Sequence, residues 1–186
     1  MPLEHGSHRT LGAFTKGDAV NRRQVSALLV LTELGVKHQL ESFSDRLTIQ
    51  KSVYLAQAAG VDVGHYFNWY LRGPYAPTLT QDVFDAVQNY DTSTVAQEWQ
   101  LDQGSHAKLS KLRTAFAAAP ASLTQPLWLE LLASVHFLRD RRQVESADPS
   151  VLQAQLLKYK KPFTVDQVTS ALQKLRAVGL LPAATA

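Results

Sequence analysis

The stretch FSDRLTIQKSVYLAQAAGVDVGHYFNWYLRGPYAPTL, residues 43–79, carries the strongest structural signals in the chain. Its first part is typical of a capped helix. Ser44 can accept a hydrogen bond from a first-turn N–H group, Asp45 suits the positive end of the helix dipole, and Gly60 can end the helix in the left-handed conformation. Apolar residues occupy two adjoining faces of this helix, so we expect it to be mostly buried.

The period changes to two after this helix, which predicts a short strand or extended segment around residues 65–72. One side of the segment would carry His65, Phe67, Trp69 and Leu71. The Gly73-Pro74 pair breaks the pattern, and Pro77 follows, so we expect a turn before a helix capped by Thr78 or Thr80. The inward face of that helix would carry Leu79, Val83, Ala86, Val87 and Tyr90.

Helical periodicity extends outward in both directions from this stretch. It predicts helices over 21–34 (ended by Gly35), 109–119, 122–138, a short one after Asp148-Pro149, and 165–178 (ended by Gly179). Ser122 with Gln125, and Thr164 with Gln167, match the capping box. We expect a mainly α fold, a compact multi-helix domain with one short extended or hairpin element around 65–72.

Length and composition favour one domain. The chain has 186 residues and is 45% hydrophobic, enough for one core. We expect a flexible N-terminal segment over 1–20, whose His-Gly-Ser-His stretch is native or an expression remnant, and a helical domain over 21–182. A winged-helix-like part over 122–182 is an alternative, since its last helix is followed by a short tail.

The composition also limits the classes of function. No apolar run reaches the roughly 20 residues that span a bilayer, and residues 1–10 lack the apolar core of a signal peptide. Zero cysteines exclude disulfides and thiolate chemistry and fit a reducing compartment. We therefore expect a soluble, cytoplasmic protein without membrane association. A net charge of +3 permits nucleic-acid contact without arguing for it.

One set of residues resembles a known pattern: Leu47-x-x-Gln50-Lys51-x-x-Tyr54-Leu55, then aromatics, then Gly73-Pro74-x-x-Pro77. It resembles the Panacea-domain (SocA-like) antitoxins and, more closely, the YwgA-like bacterial and archaeal proteins. Ser52 and Tyr75 stand where the Panacea pattern has leucine and valine, which favours the YwgA-like family. The Panacea resemblance implies a helical module that neutralises a toxin by direct contact or couples a partner to another machine.

The aromatic run after the capped helix is the main candidate for a binding site. Tyr66, Asn68, Tyr70 and Arg72, with Tyr75, would form an aromatic platform with one cation, suited to anchoring a peptide or stacking on bases. The alternative is that these rings pack under helices, with Arg72 paired to a carboxylate such as Asp82.

Gln50 and Lys51 lie in mid-helix and are the polar candidates that would face the Gly-Pro turn. They would contribute to partner binding if both were exposed. If both are buried, they would instead satisfy carbonyl groups of the turn, because buried polar groups must find partners.

No catalytic motif is present. Asp62, His65 and His106 are the only acid-base candidates near the resemblance, and none has the spacing of a metal or nucleophile site. His5 and His8 lie in the excluded N-terminal segment. We therefore expect no catalytic residue, no metal and no cofactor, although a site assembled from distant residues would escape this reasoning.

Two basic clusters support an alternative function. Arg139, Arg141 and Arg142, and Lys158, Lys160 and Lys161, would contact phosphates if they met on one face. Each also lies near a predicted helix end, where cations are favoured in any case.

The sequence therefore favours a non-enzymatic protein-binding module, either antitoxin-like or an adaptor, whose partner would be a toxin or effector encoded nearby. The first alternative is a nucleic-acid-binding regulator that uses the basic C-terminal half. A third is an accessory subunit of an enzyme in a defence or mobile-element system.

Overall fold

A computed structural model of the protein describes residues 9–10, 21–141 and 144–183. These residues form eight helices and two small sheets. The helices are α1 (Arg22–Glu33), α2 (Phe43–Ala58), α3 (Pro77–Asn89), α4 (Thr92–Glu98), α5 (Gln103–Phe116), α6 (Gln125–Asp140), α7 (Pro149–Lys158) and α8 (Val165–Ala177). The strands are β1 (Arg9–Thr10), β2 (Asn68–Tyr70), β3 (Gly73–Tyr75) and β4 (Trp99–Gln100). The predicted mainly α class with a short hairpin element is confirmed.

The hairpin is built differently from the expected turn. Strand β2 pairs antiparallel with β3, and Trp69 lies opposite Pro74. The Gly73-Pro74 pair therefore belongs to a strand, and the turn lies at Leu71 and Arg72. Gly73 has a φ of +80°, and a Cβ atom there would lie 2.5 Å from the Oγ of Ser134 on α6. Only glycine allows the hairpin to approach α6 this closely.

Helix α2 begins two residues earlier than predicted. Ser42, not Ser44, is its N-cap: the Ser42 Oγ accepts from the Asp45 N–H at 3.0 Å, and Asp45 Oδ2 accepts from the Ser42 N–H at 2.9 Å. This reciprocal pair satisfies two donors at once, which a cap at Ser44 would not. The expected burial of α2 is confirmed, because it is buried along most of its length from Leu47 to Ala56.

The N-caps predicted for two other helices, α3 and α6, are wrong. Helix α3 begins at Pro77 after Ala76, because proline is suited to the first helical position, so neither Thr78 nor Thr80 caps it. Helix α6 has Thr124 as its N-cap in place of Ser122. The Gln125 side chain donates to the Phe116 carbonyl at 3.0 Å and is not available for a capping box.

Thr164 and Gln167 form the predicted capping box of α8. The three glycines expected to end helices all have positive φ. Among the inward positions predicted for α3, Val87 is wrong, since it is 41% exposed.

The hydrophobic core is one cluster that draws on every helix, from Val25 on α1 to Leu181 after α8. Helices α2 and α6 contribute fully buried residues such as Leu55 and Trp128. No strand follows α8 in the described residues, so the C-terminal part lacks the strands of a wing there. Of the expected N-terminal segment, Arg9–Thr10 pairs in parallel with Trp99–Gln100; the rest of residues 1–20 lies outside the described residues.

Candidate functional site

Gln50 and Lys51 hold the backbone of the hairpin and its exit. The Gln50 side chain donates to the Ala76 carbonyl at 2.8 Å and accepts from the Ala76 N–H at 2.9 Å. The Lys51 ammonium group donates to the Pro74 carbonyl at 2.5 Å. Both side chains are buried. They therefore satisfy backbone polar groups of this segment, as expected from the sequence for the case in which both are buried. The expected role in direct partner binding is wrong, because neither side chain is exposed.

A cluster of buried charges lies behind the hairpin. The Lys161 ammonium group pairs with Glu130 Oε1, and both residues are almost fully buried. Arg72 approaches the other oxygen, Oε2, at 3.6 Å. A carboxylate therefore lies near Arg72, as the alternative interpretation expected, but Asp82 was the wrong example, because Asp82 pairs with Arg23 at 3.0 Å. One carboxylate thus faces two cations.

Burial and this excess of positive charge lower the pKa of the lysines. The pKa of Lys51 falls to about 7, mainly because burial disfavours the ammonium form and further because Lys161 and Arg72 are close; Glu130 opposes the shift. Burial likewise lowers the pKa of Lys161, against the attraction of Glu130. The cluster is therefore a low-dielectric environment that contains more cations than it can pair.

A cavity of about 430 Å³, which we call the hairpin groove, lies between the start of α2 and the hairpin. Its exposed walls are apolar: Phe43 is 56% exposed, Tyr70 61% and Leu71 77%. The groove is completed by Arg46, Leu47, Gln50, Lys51, Arg72, Tyr75 and Thr80.

The aromatic side chains of this region lie close to one another and to Arg72. The rings of Tyr70 and Tyr75 lie 5.7 Å apart, and the Arg72 guanidinium lies 5.8 Å from the centre of the Phe43 ring. Tyr66 and Tyr70 are exposed, so the interpretation that these two rings pack under helices is wrong.

A second cavity, of about 680 Å³, lies on the other side of the hairpin, and we call it the Tyr54 pocket. Its lining includes Tyr66 and Asn68. The predicted aromatic platform is therefore divided: Tyr70, Arg72 and Tyr75, with Gln50 and Lys51, belong to the hairpin groove, whereas Tyr66 and Asn68 belong to the Tyr54 pocket.

Several polar groups of the Tyr54 pocket are paired with one another, whereas the buried His65 Nε2 has no hydrogen-bond partner among the described residues. The Tyr54 hydroxyl lies 2.7 Å from His136 Nδ1, and Gln57 makes two hydrogen bonds with the His65 backbone at 2.8 and 2.9 Å. Burial raises the pKa of Tyr54 and lowers that of His136, so both are neutral near pH 7. This pairing is typical of a polar contact that stabilises the packing of α2 on α6.

The acid-base candidates do not come together. Asp62 is exposed, His106 pairs with Glu33 at 3.0 Å, and His65 is buried, 3.3 Å from the Thr78 hydroxyl and 3.9 Å from Asp82. Within residues 9–10, 21–141 and 144–183, no group of three His, Asp or Glu side chains is placed to hold a metal ion.

The basic residues are dispersed over different contacts. Arg139 donates to the Val144 and Glu145 carbonyls, and Arg141 pairs with Asp140 at 3.1 Å. Lys161 is buried with Glu130, whereas Lys158 and Lys160 are exposed. The three lysines therefore do not form one exposed cluster. Arg142 lies outside the described residues.

Sequence reasoning missed several residues of the groove and of the cluster behind it. Phe43 and Arg46 belong to the first two turns of α2. The available signal in the sequence was a phenylalanine directly before the predicted cap Ser44. Glu130 gave a weaker one, as the only acid in the apolar run from Leu127 to Leu138. Its lysine partner lies 31 positions away, so local spacing could not identify the pair.

No family model, curated protein or solved structure matches the chain. The resemblance to the YwgA-like family and the Panacea-domain antitoxins thus stays a prediction. In the part of the chain that the structure describes, no helix has both the length and the apolarity to cross a membrane.

Proposed function

We propose that the protein is a non-enzymatic protein-binding module, antitoxin-like or an adaptor, whose binding surface is the hairpin groove. The observation that carries this proposal is the exposure of Phe43, Tyr70 and Leu71 around one cavity. Large apolar side chains grouped around a concavity are a common feature of interaction sites, whereas singly scattered ones need no explanation.

The support beneath the groove agrees with this proposal. Gln50 and Lys51 fix the backbone of residues 74–76, and Gly73 holds the hairpin against α6. A preorganised surface loses little conformational entropy when a partner binds. The resemblance to the Panacea pattern points to the same class of function, with a toxin or effector encoded nearby as the partner, in a defence system of the cytoplasm.

Affinity capture with matched variants tests the proposal. The tagged chain is purified from its source cells with nuclease present, beside a Tyr70→Ala/Leu71→Ala double variant and a Phe84→Ala control. Phe84 is 47% exposed on α3 and lies outside the groove. A stoichiometric protein that is retained by the natural chain and the control, and lost from the double variant, is the expected result.

Two outcomes would contradict the proposal. One is retention of the same protein by the double variant, which would place the binding surface elsewhere. The other is recovery of nucleic acid alone when nuclease is omitted, which would favour a nucleic-acid-binding regulator. Circular dichroism and thermal melting of each variant show whether a loss of binding reflects loss of the fold.

A further inference from the structure

We propose that the hairpin groove binds a short peptide segment of the partner in which one carboxylate side chain is flanked by apolar or aromatic residues. This inference rests on the proposed function and specifies the chemistry of the partner at the same site.

The charged residues that line the groove are all basic. Arg46, Lys51 and Arg72 line the groove, and no Asp or Glu is among its described lining residues. The Arg46 guanidinium donates to the Leu40 and Glu41 carbonyls at 2.7 and 3.1 Å, and the Asp45 carboxylate, which does not line the groove, interacts with it electrostatically. The basic side chains of the groove, of which Arg72 is the exposed one, therefore favour a bound carboxylate.

Arg72 is the cation best placed to meet that carboxylate. Its side chain is 55% exposed, and its only carboxylate contact among the described residues is Glu130 Oε2 at 3.6 Å, beyond good hydrogen-bond distance. Glu130 is already committed to Lys161 through its other oxygen. The guanidinium can thus form a bidentate pair with an incoming carboxylate without giving up a strong contact.

The apolar walls of the groove indicate that its ligand carries apolar groups as well as an anion. Phe43, Tyr70 and Leu71 each remain more than half exposed, and burying such side chains releases about 25 cal/mol per Å² of apolar surface. The Arg72 guanidinium lies over the Phe43 ring, so the site for the carboxylate adjoins apolar surface. A ligand that satisfies both must carry an anion and apolar groups within a few ångströms.

The number of accessible cations distinguishes a peptide from a nucleic acid. Phosphate backbones are bound by several exposed cations along a track. In this groove Arg72 is the exposed cation, since Lys51 is buried and Arg46 is half-buried and engaged with carbonyls. One exposed arginine among apolar walls matches a peptide that carries one carboxylate. The volume of the groove, about 430 Å³, lies within the usual range of ligand pockets.

Pools of immobilised octapeptides test this chemistry with the full chain. The first pool contains one Glu flanked by Leu and Phe; three matched pools replace Glu by Gln, Glu by Lys, or Leu and Phe by Ser. We expect the Glu pool to retain at least about tenfold more protein than the Gln pool, the magnitude of one good charge-assisted pair. The Lys and Ser pools should retain less than the Glu pool.

Three variants assign the effect to the groove. Arg72→Gln should remove the preference for Glu over Gln, and Arg72→Lys should keep part of it, because lysine retains the charge without the planar fork. Arg113→Gln replaces an exposed arginine on α5 that does not line the groove, and it should behave as the natural chain does.

Several results would overturn the inference. Equal retention on the Glu and Gln pools, stronger retention on the Lys pool, or tighter binding to single-stranded DNA than to the Glu pool would each do so. So would a dimer, seen by sedimentation, that dissociates on Leu71→Ala while no pool binds, because the occupant would then be a second copy of the chain. If the pools show no preference but Tyr70→Ala/Leu71→Ala still abolishes capture of the cellular partner, the acidic-peptide inference fails and the proposed function stands.

Discussion

The two cavities beside the hairpin differ in how their polar groups are partnered. In the Tyr54 pocket, the larger one, Tyr54 pairs with His136, Gln57 with the His65 backbone, and Arg141 with Asp140. In the hairpin groove, Arg72 reaches a carboxylate only at 3.6 Å, and the walls are exposed apolar side chains. The volume alone would favour the Tyr54 pocket, which also holds the unpartnered His65 Nε2, whereas the exposed apolar walls and the incompletely paired Arg72 favour the groove.

This difference separates stability from binding. Polar groups that pair with each other inside the fold gain little from a ligand, because a ligand would have to replace bonds already made. Exposed apolar surface and an incompletely paired arginine gain when a partner covers them. We therefore expect changes in the Tyr54 pocket to affect stability, and changes at the exposed wall of the groove to affect binding.

The largest expected effect is on the charge cluster behind the groove. Glu130→Gln removes the carboxylate that faces Lys161 and Arg72 and leaves a buried ammonium group without an anion. Breaking a buried pair in this way costs about 3–5 kcal/mol. Urea denaturation should show this loss in the free energy of unfolding. Glu41→Gln, at an exposed position, should change it by less than about 0.5 kcal/mol. A small effect of Glu130→Gln would mean that the lysines are neutral or hydrated.

The second prediction concerns pH. The pKa of Lys51 is about 7 in the folded protein and near its ordinary value of 10.5 in the unfolded chain. Between these values the unfolded chain binds more protons, so this contribution to stability is complete above pH 10.5 and is lost as the pH falls to 7. The free energy of unfolding should rise by up to about 1.4 kcal/mol per pH unit from pH 7 to 9.

The Lys51→Met variant isolates this contribution, because methionine cannot titrate. Its unfolding free energy, measured by urea denaturation at pH 7, 8 and 9, should rise less steeply than that of the natural protein. The groups that face Lys51 and set its pKa are Lys161, Glu130 and Arg72. Lys111→Met, at an exposed position, should keep the natural slope. Parallel slopes for Lys51→Met and the natural protein would show that Lys51 stays charged.

A third prediction tests the Tyr54 pocket. Tyr54→Phe removes the hydroxyl that lies 2.7 Å from His136 Nδ1 and leaves a buried nitrogen without that partner. We expect a loss of about 1–3 kcal/mol in thermal or urea unfolding, with capture of the partner unchanged. Tyr66→Phe, whose side chain is 77% exposed, is the matched control and should be neutral. Loss of partner capture by folded Tyr54→Phe would assign a binding role to the larger cavity.

The smallest effect on stability is expected at the groove wall. Leu71→Ala changes a side chain that is 77% exposed, so the unfolding free energy should shift by less than about 0.5 kcal/mol. Partner affinity, measured by calorimetry with the captured protein, should fall by about tenfold or more, because Leu71 is an exposed apolar wall of the groove. An unchanged affinity together with normal stability would remove Leu71 from the interface.

Much of the fold followed from local patterns. The helical period identified α1, α2, α6 and α8, and the two-residue period identified the segment that contains β2. Which side of that segment is exposed was left open, and the structure exposes Tyr66, Asn68 and Tyr70. Helix starts were less well predicted, since several Ser and Thr residues near each boundary qualify as caps. Ser42 is the N-cap in the structure and Ser44 is not, because Ser42 and Asp45 form a reciprocal pair of hydrogen bonds.

Only part of the candidate site could be predicted from the same local patterns. Tyr70, Arg72 and Tyr75 were identified as one platform with Tyr66 and Asn68, but the twist and turn of the hairpin place these residues at two cavities. Asp82 was the example given for a carboxylate partner of Arg72, whereas Glu130 on α6 is the carboxylate that approaches it. Spacing along the chain carries no information about which distant helix will pack behind a hairpin.

The sequence by itself determined the helical class, the boundaries set by glycine, and the two-residue alternation of the segment that contains β2, because each depends on interactions within a few positions. Tertiary structure alone decided that Gln50 and Lys51 bind the hairpin backbone, and that Glu130 is shared between Lys161 and Arg72. It also placed Phe43 against Arg72. These contacts join residues 23 to 58 positions apart, and a buried charge must take whichever partner the packed helices bring within reach.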